Sequence, residues 1–101
     1  MTKAVAIIKA GFIYPCTIVP ARYSGSYEGG SWLAFALQPD RLPPQWNGDD
    51  LSCSAFFQTF IGPLGRGKSP EEALKNLHKY FETHYSNQNR VEFLIPGDQS
   101  I

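Results

Sequence analysis

The sequence predicts a two-layer α+β domain, with one helix packed on a three- to four-stranded, mainly antiparallel sheet in the order β-β-β-α-β. Three observations carry that expectation. A capped amphipathic helix is written into residues 69–85. Runs rich in β-branched and aromatic residues precede it, and an alternating run over 91–95 follows it. The chain has 101 residues, 43% hydrophobic and 18% charged, which supplies one modest core without metal or disulfide staples. A single domain over 1–101 is therefore expected.

Residues 4–9 read as a short strand or an ordered arm. Residues 12–23 carry Ile13, Tyr14, Thr17, Ile18, Val19 and Tyr23, a composition suited to a pleated, half-buried surface. Pro15 and Pro20 cannot donate to a ladder, so an edge, a bulge or a strand broken into two pieces is expected. In that strand Cys16, Ile18, Pro20 and Arg22 point one way, and Thr17, Val19, Ala21 and Tyr23 the other. Residues 24–30 form a hairpin connection, with Gly29-Gly30 free to take positive φ. Residues 31–37 return as a strand, with Trp32, Ala34 and Ala36 on one face and Leu33, Phe35 and Leu37 on the other. Both faces are apolar, and the small-residue face is expected beneath a closely packed helix.

Residues 38–52 hold Pro39, Pro43, Pro44 and Gly48 without periodicity and read as a long loop of the kind that carries function. Trp46 inside it either anchors the loop or meets a partner, and burial favours the anchor. Residues 53–61, with Phe56, Phe57, Phe60 and Ile61, are read as a third strand. Helix competes there, because Ala55, Phe56 and Phe60 also fit helical spacing. Gly62-Pro63 ends the run, and residues 65–67 read as a loop.

The helix start is the best specified point in the chain. Ser69 is an N-cap, Pro70 suits the first helical position, and Glu72 completes a capping box. Ala73, Leu74, Leu77, Tyr80, Phe81 and Tyr85 then recur as one apolar stripe. In the last strand Val91, Phe93 and Ile95 share a face, and Pro96-Gly97 ends it.

Chemistry is thinly signalled. Nine Lys plus Arg balance nine Asp plus Glu, which argues against nucleic-acid binding through many phosphate contacts. A strip of Tyr14, Tyr23, Tyr27 and Trp32 with Arg22 could stack single-stranded bases, but cross-strand packing explains the same residues. His78 and His84 are six apart and diverge around a helix, so they make no metal pair. Asp40, Asp49 and Asp50 lack calcium-loop spacing. Cys16 and Cys53 read as buried, reduced, structural thiols. Gly62 with Gly67-Lys68-Ser69 satisfies the bare spacing of a phosphate loop, yet such a loop needs a parallel strand and a crossover sheet. A lone anion at this helix start remains physically reasonable. The apolar run over 4–8 is too short to span a bilayer, and no leader pattern opens the sequence, so a cytoplasmic setting is expected. No catalytic residue, metal ligand or cofactor is expected.

Two stretches resemble a known family. The segment Tyr27-Glu28-Gly29-Gly30-Ser31-Trp32-Leu33-Ala34-Phe35 resembles the second-strand motif of HicB-like antitoxin domains. The segment Gly65-Arg66-Gly67-Lys68-Ser69-Pro70-Glu71-Glu72-Ala73-Leu74-Lys75-Asn76 resembles their helix start. The resemblance implies a partly degraded double-stranded-RNA-binding-like fold whose members bind and block a small RNase toxin. Many members also carry a C-terminal DNA-binding region, which residues 1–101 do not show, and the 38–52 segment is an insertion relative to the usual short turn. The expected function is a non-enzymatic HicB-like domain that binds a protein partner, such as a small toxin, and can form a homodimer. Trp46, Tyr27, Arg41, Arg66 and Lys68 are the candidate contact residues, on sheet edges and the 38–52 segment. A nucleic-acid-binding module is the alternative, ahead of a nucleotide-binding or hydrolytic protein.

Overall fold

Ala10 and Gly11 adopt positive φ, 51° and 80°, and this two-residue turn folds β1 (Thr2–Lys9) onto β2 (Phe12–Tyr14). The same β1 pairs on its other side with β6 (Arg90–Ile95), so it is the centre of an antiparallel sheet ordered β2-β1-β6. The chain leaves that sheet at Pro15 and enters a second one. There β3 (Thr17–Pro20), β4 (Trp32–Phe35) and β5 (Leu64–Gly67) lie in sequence order, again antiparallel. The helices are α1 (Asp50–Thr59) and α2 (Pro70–His84), and 3₁₀ turns occupy Pro39–Arg41 and Pro44–Asn47. The computed structural model describes residues 2–86 and 88–95. The expected strand stop at Pro96-Gly97 lies outside the described residues.

The α+β class holds, but its finer form needs correction. Among the described residues there are two α-helices rather than one, and two three-stranded sheets rather than a single sheet. The break expected at Pro15 is the place where one sheet gives way to the other. The small-residue face of β4 behaves as its pattern required. Ala34 lies opposite Gly65 on β5, and a Cβ on Gly65 would stand 2.0 Å from the Ala73 carbonyl oxygen of α2. A Cβ on Gly67 would stand 2.5 Å from the Ala73 amide. The two glycines therefore let the backbone of α2 rest directly on β5. This corrects the reading of residues 65–67 as a loop: the glycines serve close approach within a strand, not a turn.

Residues 53–61 are likewise not a strand. Asp49 caps a helix by accepting from the Ser52 amide at 2.9 Å, and Cys53, Phe56 and Phe57 face inward at helical spacing. Phe56 and Phe60 pack on Phe35 of β4 at ring distances of 6.3 and 5.9 Å, on the face away from α2. The second sheet is thus covered on both sides, which is why both faces of β4 are apolar. Residues 38–52 contain two 3₁₀ turns and the start of α1 in place of a featureless loop.

The start of α2 follows its sequence signals. Ser69 Oγ accepts from the Glu72 amide at 3.1 Å, and the Glu72 carboxylate reaches back to the Lys68 amide at 2.7 Å. Ala73, Leu77 and Phe81 are its buried stripe. Cys53 is buried as expected, whereas Cys16 is exposed, because it sits in the link between the two sheets rather than inside either strand.

Candidate protein-docking surface

The first sheet has two unlike faces, set by the two-residue period of its strands. Ala4 and Ala6 of β1 share the inner face with Val91, Phe93 and Ile95, and all five are buried. The outer face carries Val5, Ile7, Phe12, Tyr14 and Leu94. Register places Phe12 beside Lys9, Tyr14 and Arg90 on either side of Ile7, Glu92 beside Val5, and Leu94 beside Lys3. Phe12 is 74% exposed, Tyr14 64%, Leu94 45% and Ile7 38%. With about 150–250 Å² available on each aromatic, this is an apolar patch of roughly 400 Å², the size at which an exposed patch is commonly functional.

The charges on this face are mostly basic. Glu92 accepts a hydrogen bond from Arg90 and pairs with Lys3 at 3.3 Å, and these cations hold its carboxyl below the usual carboxylate value. Lys9 has no carboxylate within 4.0 Å among the described residues. The patch therefore combines apolar surface with an excess of Lys3, Lys9 and Arg90 over Glu92.

Arg41 is brought to the border of this face. Its Nη2 donates to the Lys3 carbonyl at 3.2 Å, and it lines a 490 Å³ depression with Val5, Ile7, Tyr14 and Leu37. The other candidates lie elsewhere. Trp46 packs on Phe35 at 6.1 Å and is half-buried, so it anchors the 3₁₀ turn to the second sheet. Tyr27, Arg66 and Lys68 gather around the turn between β3 and β4. Tyr27 packs edge-on against Tyr23 at 5.3 Å. Arg66 Nε donates to the Glu28 carbonyl, and Gly29 leaves room for it, since a Cβ there would stand 2.8 Å from Arg66 Cδ. Arg66 and Lys68 border a 360 Å³ depression with Ser24, Gly30 and Glu72.

At the centre of that turn is a residue the sequence reading did not single out. Glu28 is fully buried, and its carboxylate accepts from the amides of Tyr23 (2.9 Å), Gly25 (3.2 Å) and Tyr27 (3.3 Å). Cys53 Sγ donates to the same carboxylate at 3.8 Å. Burial, reinforced by the neighbouring Glu28, pushes the Cys53 thiol up to about 11. That is the opposite of an activated nucleophile. The available signal was a lone acidic residue inside a glycine- and serine-rich turn, where free amides need an acceptor.

The remaining chemistry is local. His84 stacks on Tyr80 at 4.1 Å with Nδ1 3.1 Å from the Tyr80 carbonyl oxygen, and His78 lines a 520 Å³ cleft between α2 and the β1–β2 hairpin. No cluster of three or more His, Cys, Asp or Glu among the described residues could hold a metal. Residues 65–67 form an antiparallel strand, not the parallel strand a phosphate loop follows. Tyr14 belongs to the first sheet while Tyr23 and Tyr27 pack on each other in the turn, so these tyrosines do not make one strip. No described helix is long and apolar enough to cross a membrane. Compared with protein-family models, curated proteins and solved structures, the chain has no match.

Proposed function

We propose that this chain is a non-enzymatic, HicB-like cytoplasmic domain that binds a protein partner, a small toxin being the partner class its sequence resemblance suggests. The observation that carries the reading is the uncovered outer face of the first sheet, where Phe12 is 74% and Tyr14 64% exposed. Apolar surface of this size gains most when a second protein covers it. The basic rim adds orientation and selectivity. The high thiol pKa of Cys53, about 11, argues against Cys53 itself as a nucleophile.

The test is photocrosslinking in the native cell with p-benzoylphenylalanine at position 12, and at Glu82 on α2 as the control. A discrete protein adduct is expected from position 12 and none from position 82. Nucleic-acid adducts from position 12 would favour the alternative module, and equal labelling from both positions would remove the partner reading.

A further inference from the structure

The edge of β1 is only half occupied on the β2 side. Lys9 and Phe12 close a two-residue turn, which makes them a hydrogen-bonded pair, and alternation makes Ile7 and Tyr14 the next one. Odd-numbered residues of β1 therefore direct their N–H and C=O groups toward β2, and even-numbered ones toward β6. The Ile8 amide obeys this, donating to the Asn89 carbonyl at 2.9 Å. But β2 ends at Tyr14, and Pro15 takes the chain away into the second sheet. Beyond Ile7, no strand among the described residues is registered opposite Val5 or Lys3 on that side. The backbone groups of Val5 and the Lys3 N–H thus point into a lane that no strand of the described residues fills, while the Lys3 carbonyl is taken by Arg41. The 490 Å³ depression lies along this lane, with Tyr14 and Pro15 at one end and Leu37, Gln38, Asp40 and Arg41 among its other lining residues.

We propose that this vacant lane accepts an added β-strand: an extended segment of the protein partner, apolar at alternate positions and bearing a carboxylate for Arg41, lies as a continuation of β2 against Lys3 and Val5. This rests on the partner-binding reading and specifies its mode. The backbone groups of Val5 supply the ladder, and alternate side chains of the incoming strand meet the apolar surface of Ile7 and Tyr14. Arg41 sets which side chain the incoming strand carries opposite it. Arg41, which reaches into the lane at the Lys3 carbonyl, has no carboxylate within 4.0 Å among the described residues, and Asp40, which also lines the depression, makes no ion pair there. Lys3 is already paired with Glu92, so Arg41 is the cation in the lane that a carboxylate of the incoming segment meets.

The lane is tested by amide exchange of the full chain, read by NMR, with the peptide acetyl-Thr-Val-Asp-Val-Thr-Val-amide as probe and its lysine counterpart in place of aspartate. In the free protein the Val5 amide is expected to exchange at least about tenfold faster than the amides of Ala4 and Ala6, which point to β6. The aspartate peptide slows Val5 exchange, and the lysine peptide binds about tenfold more weakly, as expected for one charge-assisted contact. Arg41→Ala removes that difference while leaving the Val5 response in place. Val5 protected in the free monomer, peptide shifts confined to other surfaces, or Val5 protection that grows with protein concentration alone would each overturn the proposal, the last in favour of a second copy. If these fail while crosslinking from position 12 persists, the strand mode falls and the partner reading stands. Failure of both removes both.

Discussion

Glu28 shows how one residue fixes a turn that glycines alone would leave loose. Its buried carboxylate gathers the amides of Tyr23, Gly25 and Tyr27 and draws the Cys53 thiol of α1 onto the turn. Each of these amides would otherwise be an unsatisfied donor near the core. Glu28→Gln keeps the shape but turns an N–H₂ group toward at least one of these donors. It is expected to cost about 2 kcal/mol in urea denaturation, the penalty for leaving buried donors unpaired. A midpoint unchanged by the substitution would show that the amides find other partners. Arg66 belongs to the same construction, since its Nε holds the Glu28 carbonyl and Asn76 of α2 holds the Arg66 carbonyl. Its structural work explains why Gly29 and Gly30 cannot carry side chains without displacing it or β5.

Among the elements, β5 is the one whose sequence misleads most. Glycines spaced by two normally suggest a loop, but here they create a groove that receives α2. Gly65→Ala puts a methyl group 2.0 Å from the Ala73 carbonyl oxygen, and no flexible side chain is available to move aside. The substitution is expected to destabilise the fold by about 3 kcal/mol or more by forcing helix and strand apart. An alanine variant with the wild-type melting temperature would mean that α2 does not rest on β5. The misreading of α1 has a related cause. Its phenylalanines must meet Phe35 from across the sheet, and the apolar run is too short for periodicity to separate helix from strand. The local feature that favours the helix is the Asp49 cap.

For the whole molecule, the two sheets differ in how they are covered. The second lies between α2 and the α1 aromatics, while the outer face of the first is open. Substituting Phe12→Ser together with Tyr14→Thr is therefore expected to change unfolding free energy by less than about 0.5 kcal/mol, as for exposed positions, while abolishing crosslinks placed at Ile7. Leu33→Ala, buried in the second sheet, is expected to cost about 3 kcal/mol as the contrasting core truncation. A loss above about 1 kcal/mol in the double variant would mean that some part of this chain covers the face.

Much of the fold was legible because its signals are local. The Ser69 cap, the α2 stripe, the alternation of β6 and the break at Pro15 each depend on residues a few positions apart, where backbone sterics and hydrogen-bond satisfaction act directly. Of the candidate contacts, Arg41 was placed by its position in a charged, proline-rich segment, yet its meeting with the Lys3 carbonyl spans most of the first half of the chain. Glu28 with Cys53, the glycine groove under α2 and the empty lane beside β1 are likewise products of distant segments brought together. The sequence by itself determined the α+β class, the long helix with its start, and strands within residues 4–9, 12–23, 31–37 and 91–95. Only the tertiary structure decided that there are two sheets, that residues 53–59 are helical, and that one apolar face is left open. Those outcomes depend on which buried surfaces find each other, and no local pattern contains that pairing.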